Sequence, residues 1–123
     1  MVESEKAILE QDKQKEEIGH LNVRSERQMK RIAFDDILYI ESLSDYINIH
    51  TKSNDKIVSK LKISHIQNEL PASFLRIHRS YIINSKEAHS FKSESLLVGT
   101  ETLPISRSYK ASVRAWLSTQ ALQ

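Results

Sequence analysis

The spacing of apolar residues changes near residue 20. Residues 3–18 are rich in Glu, Gln, Lys and Ala, and their sizeable apolar side chains are Ile8, Leu9 and Ile18. This composition has high helix propensity, but so narrow an apolar stripe gives a helix little surface to bury. We therefore predict an exposed helical linker or connector over residues 1–20, ending near Gly19; a coiled-coil seam is the alternative.

From Leu21 onward the pattern is typical of short strands. Extended segments are predicted around Leu21 and Val23 and again at residues 29–34. Residues 37–40 are almost wholly apolar, as expected of a strand buried on both faces. Residues 46–51 alternate apolar and polar side chains, and residues 56–61 follow a turn-forming Ser-Asn-Asp sequence. These two segments are predicted to form a hairpin.

The second half of the chain mixes helix and strand patterns. Residues 61–70 place Ile63, Ile66 and Leu70 on one helical face, which predicts a helix of two to three turns ending before Pro71. Strand character returns as one run over residues 75–83. Further strands are predicted at residues 90–91, 96–98 and 102–105.

A last helix is predicted behind an N-cap at Ser106 or Ser108. Tyr109, Val113, Trp116 and Leu117 then share one face at helical spacing, so Trp116 is interpreted as a packing residue. The predicted architecture is mainly β with short helices.

Composition limits the possible classes of protein. A chain of 123 residues can form one modest domain, and 39% hydrophobic with 28% charged residues is ordinary for a folded protein. No apolar stretch is long enough for a spanning helix, and the polar, acidic N-terminus does not resemble a signal peptide. Without cysteine there is no disulfide framework or thiol nucleophile. We expect a cytoplasmic protein without membrane contact by this segment.

The positive charge lies in the later part of the chain. Residues 1–30 contain six Lys/Arg and seven Asp/Glu, whereas residues 46–123 contain eleven and five. Such a bias favours polyanions through counterion release, although many domains of similar charge bind no nucleic acid.

Enzymatic chemistry has little support in the sequence. With only Gly19 and Gly99, the chain can form neither a phosphate-cradling loop nor a dinucleotide fingerprint. Asp35 and Asp36 are adjacent and would point to opposite faces of a strand, which is poor geometry for paired acid and base catalysis. The five histidines have no close metal-ligand spacing. We predict no catalytic residue, cofactor or metal.

Four segments identify a family. They are FDDILYIES at residues 34–42, DYINIHT at 45–51, FLRIHRSYIIN at 74–84 and LPISRSYK at 103–110. In this order and spacing they resemble the LytTR family of bacterial transcription-regulator DNA-binding domains, over roughly residues 21–118. The resemblance implies an elongated stack of small antiparallel sheets with a C-terminal helix, and we assign the domain to residues 21–120.

The resemblance also implies which residues read DNA. In the family, side chains from separated loops enter successive major grooves, and the matching positions here are Arg79, Arg107 and the loop around Ser44, Asp45 and Tyr46. An arginine fork can pair with O6 and N7 of guanine, giving about 1 to 3 kcal/mol of discrimination. The alternative is that both arginines form surface salt bridges with residues such as Glu69 or Glu101.

The first loop leaves two interpretations open, because some relatives have a basic or histidine side chain where this chain has Asp45. Asp45 could accept a hydrogen bond from cytosine N4, or it could face away as a turn former that bonds its own backbone. Tyr46 could read DNA or point into the core.

Backbone phosphates need a separate set of donors. We predict that backbone N–H groups at the start of the last helix contact phosphate. The side chains predicted to do so are Lys60, Lys62, Lys110, Ser80, Ser106 and Ser108. His78, between two arginines, is interpreted as a structural, hydrogen-bonded histidine and not as a ligand.

The family usually forms the output domain of a two-component response regulator or is attached to a membrane-bound sensor. Since 123 residues leave no room for a receiver domain, the chain is expected to be a fragment of a longer regulator, or a stand-alone regulator with a helical extension. The expected partner is double-stranded DNA with paired direct repeats, which a second copy would share. The alternative is a basic interaction module that binds an acidic protein or RNA.

Overall fold

Short antiparallel strands dominate residues 19–121, which are the residues described by this computed structural model. The strands are β1 (His20–Ser25), β2 (Gln28–Ala33), β3 (Ile37–Leu43), β4 (Tyr46–Thr51), β5 (Lys56–Ser59), β6 (Phe74–His78), β7 (Tyr81–Asn84), β8 (Ala88–Phe91), β9 (Ser95–Val98) and β10 (Glu101–Pro104). The helices are α1 (Ile63–Gln67) and α2 (Lys110–Ala121), with 3-10 turns at Phe34–Asp36, Ser85–Glu87 and Arg107–Tyr109.

The strands are arranged in sheets of two, five and three strands. Strands β1 and β2 form a separate two-stranded sheet. The largest sheet has the order β5-β4-β3-β7-β6, and the last has the order β10-β9-β8. Strand β3 is central, with β4 and β7 as its antiparallel neighbours. The predicted mainly β fold with short helices, small antiparallel sheets and a C-terminal helix is confirmed.

Two hydrophobic cores lie on opposite faces of the large sheet. The first core contains Leu21, Val23, Ile32, Phe34, Ile37, Ile40, Ile47, Ile49, Ile63, Ile66 and Ile82. The second core contains Tyr39, Ile77, Ile83, Leu96, Val98, Leu103, Ile105 and Val113. Because neighbouring residues of a strand point to opposite faces, β3 and β7 contribute to both cores.

The strand predicted at residues 37–40 is buried on both faces, as expected. A register irregularity between Ile37 and Tyr39 allows Leu38 and Tyr39 both to pack on the second core, while Ile37 and Ile40 are buried in the first. The predicted hairpin of β4 and β5 is also present.

Two sequence-based expectations are wrong in detail. Helix α1 has five residues instead of two to three turns, because the chain beyond it tightens into bonds such as Glu69 N–H to the Ile66 carbonyl, at 2.9 Å. Asp35 and Asp36 lie in a 3-10 turn and not on a strand.

Residues 1–18 of the helical linker predicted over residues 1–20 lie outside the described residues, and His20 belongs to strand β1 and not to a helix. Within residues 19–121, no helix has the length and apolar content needed to cross a membrane.

Candidate nucleic-acid interface

Arg79 lies at the tip of a tight hairpin. His78 pairs with Tyr81 across strands β6 and β7, so Arg79 and Ser80 form a two-residue turn. The single strand predicted over residues 75–83 is therefore wrong. The turn contains no residue with positive φ and needs no glycine, which is why turn chemistry did not reveal it.

Side chains from β6 hold this turn. The Ser80 N–H donates to His78 Nδ1 at 3.0 Å. Arg76 donates from Nε to the His78 carbonyl at 2.9 Å and from Nη2 to the Arg79 carbonyl at 2.7 Å. The prediction that His78 is a hydrogen-bonded structural residue is confirmed, although its side chain is only half-buried. Sequence reasoning missed Arg76 entirely.

Arg107 occupies a second turn, immediately before the last helix. Residues Arg107–Tyr109 form a 3-10 turn that continues into α2. Ser106 has the extended backbone of an N-cap, but its side chain makes no capping bond. Its hydroxyl instead lies 3.4 Å from that of Ser108, so the predicted side-chain cap is wrong.

Long-range contacts bring the two turns together. The Ser106 N–H, one residue before Arg107, donates to the carbonyl of Ile77 at 2.9 Å, two residues before Arg79. The guanidinium of Arg76 also lies over the ring of Tyr109, with Cζ 5.6 Å from the ring centroid. Arg79 and Arg107 are therefore presented from neighbouring turns although they are far apart in sequence.

Both arginines are exposed. Neither forms an ion pair within residues 19–121, where the ion pairs connect other residues. The bridges to Glu69 or Glu101 that the sequence left open are not formed between these described side chains. Among the side chains of residues 19–121, neither guanidinium group has a hydrogen-bond or ion-pair partner.

The first predicted loop is a two-residue turn of Ser44 and Asp45 between β3 and β4. Ser44 has φ of 58°, and Tyr46 is 46% exposed, so the alternative that Tyr46 packs in the core is wrong. Asp45 is exposed and occupies the turn, but its carboxylate makes no hydrogen bond to a described residue. The Ser42 N–H donates to the Ser80 carbonyl at 2.8 Å, which connects the end of β3 to the Arg79 turn.

The predicted phosphate contacts fall in different environments. Lys60 and Lys62 are exposed and line an open groove of about 620 Å³ together with Asp45 and His65. Lys110 is instead paired with a carboxylate, its Nζ lying 3.1 Å from Glu94.

The predicted hydroxyl donors also differ in access. Ser108 is exposed, whereas Ser80 and Ser106 are half-buried. The 3-10 turn before α2 thus presents the Ser108 hydroxyl to solvent. Among the described residues, no group of three or more His, Asp or Glu side chains is placed to hold a metal ion.

Comparisons with known proteins match both the sequence and the fold of this chain. The family model described as the LytTr DNA-binding domain matches residues 27–118. A solved LytTr DNA-binding domain, from a Bacillus cereus protein described as a methyl-accepting/DNA response regulator, superimposes with a TM-score of 0.68. The two chains are 22% identical, and the match covers 80% of this chain and 95% of the other. A search of curated proteins found no match.

Proposed function

Because the chain belongs to the LytTr DNA-binding domain family, we propose that it binds double-stranded DNA sequence-specifically, as the output domain of a bacterial transcription regulator. The observation that carries this proposal is a pair of exposed arginines on two neighbouring turns, Arg79 and Arg107, which form no ion pair with any residue of 19–121. A guanidinium with free donors can form the bidentate pair with guanine that a salt-bridged one cannot.

Each element of the surface has a proposed role. Arg79 and Arg107 read base edges in the major groove, and Asp45 with Tyr46 extends the reading surface from the β3–β4 turn. Phosphates are bound by the side chains of Lys60, Lys62, Lys110, Ser80, Ser106 and Ser108. Lys110 can do so only by exchanging Glu94 for phosphate, an exposed pair that costs little to break.

We propose that residues 21–120 form the DNA-binding domain. Residues 1–20 would connect it to an upstream receiver or sensor domain. We further propose that two copies bind side by side on paired direct repeats. Sedimentation of the complex at saturating protein should give two copies on DNA with both repeats intact and one copy when either repeat is scrambled. One copy on intact DNA would contradict this arrangement.

Base reading is tested by selecting bound duplexes from a random library at fixed salt. Wild type should enrich a defined motif, and Arg79→Ala and Arg107→Ala should each lose discrimination at different positions, by about 1 to 3 kcal/mol per lost guanine pair. Arg31→Ala is the matched control, since Arg31 is an exposed arginine of β2 outside the reading turns.

Selection also separates the proposed function from its alternative. If wild type binds duplexes at low salt but enriches no sequence, the basic surface is only an electrostatic one, and an acidic protein or RNA becomes the better partner.

A further inference from the structure

We propose that Arg76 is a positioning residue that fixes the Arg79 turn and the Arg107 turn in one arrangement for base reading. This inference rests on the proposed function, and it assigns Arg76 a role that differs from that of the two reading arginines. Arg76 acts through its contacts inside the protein and touches no base.

Each guanidinium nitrogen of Arg76 donates a hydrogen bond within the protein. Its Nε and Nη2 donate to the His78 and Arg79 carbonyls at 2.9 and 2.7 Å, and its Nη1 donates to Gln67 Oε1 at 2.6 Å. All three nitrogens therefore have a protein acceptor, whereas the guanidinium groups of Arg79 and Arg107 have none among the described residues. Arg76 is poorly suited to reading a base because it would first have to release these acceptors.

These contacts reach three elements at once. Gln67 is the last residue of α1, the two carbonyls belong to the hairpin turn that presents Arg79, and Tyr109 belongs to the 3-10 turn that begins with Arg107. The Arg76 side chain is thus the direct side-chain link between the two reading turns, beside the backbone bond from Ser106 to Ile77.

The geometry requires arginine and not merely a positive charge. Nε and Nη2 form a fork that binds two successive carbonyls, and the planar group lies over an aromatic ring. A lysine ammonium is a point donor on a flexible stem and cannot hold both carbonyls in the same way. Arg76→Lys therefore keeps the charge but removes the brace.

Loss of the Arg76 contacts should lower the affinity for the specific DNA sequence, because DNA binding must then order both turns. We expect Arg76→Lys in the full chain to bind the selected duplex roughly tenfold more weakly, the cost of ordering two long side chains. Affinity for an unrelated duplex and the salt dependence should stay at wild-type values because the charge is retained. Discrimination should fall at the positions read by Arg79 and also at those read by Arg107.

The ring contact gives a second, independent test. Tyr109→Phe keeps an aromatic face for Arg76 and should bind like wild type, whereas Tyr109→Leu removes it and should weaken discrimination. Circular dichroism melting of every variant identifies any loss that is merely unfolding. If Arg76→Lys does not fold, the comparison of Tyr109→Phe with Tyr109→Leu still tests the role of Arg76.

Three outcomes would overturn the inference. Wild-type discrimination in Arg76→Lys, or in Tyr109→Leu, would exclude a positioning role. Equal weakening on every duplex in Arg76→Met, with a salt slope reduced by about one, would make Arg76 a phosphate contact. If Arg79→Ala and Arg107→Ala also leave the selected motif unchanged, the proposed function fails together with the inference; if they alter it while Arg76→Lys does not, only the inference fails.

Discussion

Arginines of this domain differ in where their hydrogen-bond donors are directed. Arg76 donates hydrogen bonds to two backbone carbonyls and one side-chain amide. Arg79, three residues later, is exposed, and its guanidinium donates to no acceptor within residues 19–121. The first is a structural clamp and the second is available to a partner. Charge alone does not distinguish these roles, since both residues add the same positive charge to the surface.

Tyr39, on the central strand β3, has a pKa raised well above the ordinary value for tyrosine. Burial raises the pKa of Tyr39 to about 12, and the carboxylates of Glu101 and Glu41 act in the same direction. Burial, together with Glu41, also raises the pKa of the neighbouring Tyr81. The phenol proton is thus held more tightly in the folded protein than in the unfolded chain, where tyrosine titrates near pH 10.

The sign of the pH effect follows from this shift. The contribution of Tyr39 to stability is complete below about pH 10 and is lost as the pH rises toward 12. We expect Tyr39→Phe to lose less stability than wild type between about pH 10 and pH 12, measured as urea midpoints. Tyr46→Phe, at an exposed tyrosine, is the control and should show the wild-type decline. An identical decline in Tyr39→Phe would contradict the assignment.

At the scale of elements, the β1–β2 hairpin has an unfavourable turn. Ser25 pairs with Gln28, so Glu26 and Arg27 form its two-residue loop, with φ of 52° and 67°. Positive φ at both positions is the pattern of a type I′ turn, which prefers Asn-Gly because other side chains are strained there. The ion pair between Glu26 and Lys30 is exposed and offsets little of that strain.

Replacing Glu26 by Asn and Arg27 by Gly should therefore stabilise the protein. We expect an increase of about 1 kcal/mol in the free energy of unfolding, measured by urea denaturation with an unchanged m-value. Thr100→Gly is the control. Thr100 shares the β9–β10 turn with Gly99 but does not itself have a positive φ, so its replacement by glycine should lower stability. No gain in the double variant would mean that the turn is not strained.

The sequence predicts elements well where alternation is strong and poorly where side chains make the turn. Strands β4 and β5 follow directly from apolar alternation and a Ser-Asn-Asp turn. The Arg79–Ser80 turn has no such signal, because side-chain bonds from His78 and Arg76 hold it. The site residues could be chosen by family resemblance, but their proximity depends on the bond between Ser106 and Ile77, which no local pattern contains.

At the scale of the whole molecule, one sheet supports both cores. Ile40 and Tyr39 of β3, and Ile82 and Ile83 of β7, are adjacent residues that pack into different cores. Strand β7 begins directly after the Arg79 turn, and the turn before α2 is bonded to β6. The Arg79 and Arg107 turns thus lie on elements that both cores hold in place.

Unfolding should therefore be a single transition in which neither core survives without the other. Ile66, fully buried in the first core, and Trp116, the only tryptophan of the chain, test this, because Trp116 packs against Phe91 beside the second core. We expect Ile66→Ala to lower stability by about 2 to 5 kcal/mol. The urea midpoints from Trp116 fluorescence and from far-ultraviolet circular dichroism should fall together.

Met29→Ala is the control for this experiment, since Met29 is 66% exposed on the β1–β2 hairpin and should leave both midpoints unchanged. If Trp116 fluorescence kept its wild-type midpoint while the dichroism midpoint fell, the two cores would unfold separately. The second core, which contains Ile77 and the base of α2, could then hold the Arg79 and Arg107 turns without the first. Coincident midpoints would instead mean that a destabilising change in either core unfolds the Arg79 and Arg107 turns together. DNA binding would then be lost at the same urea concentration as the folded structure.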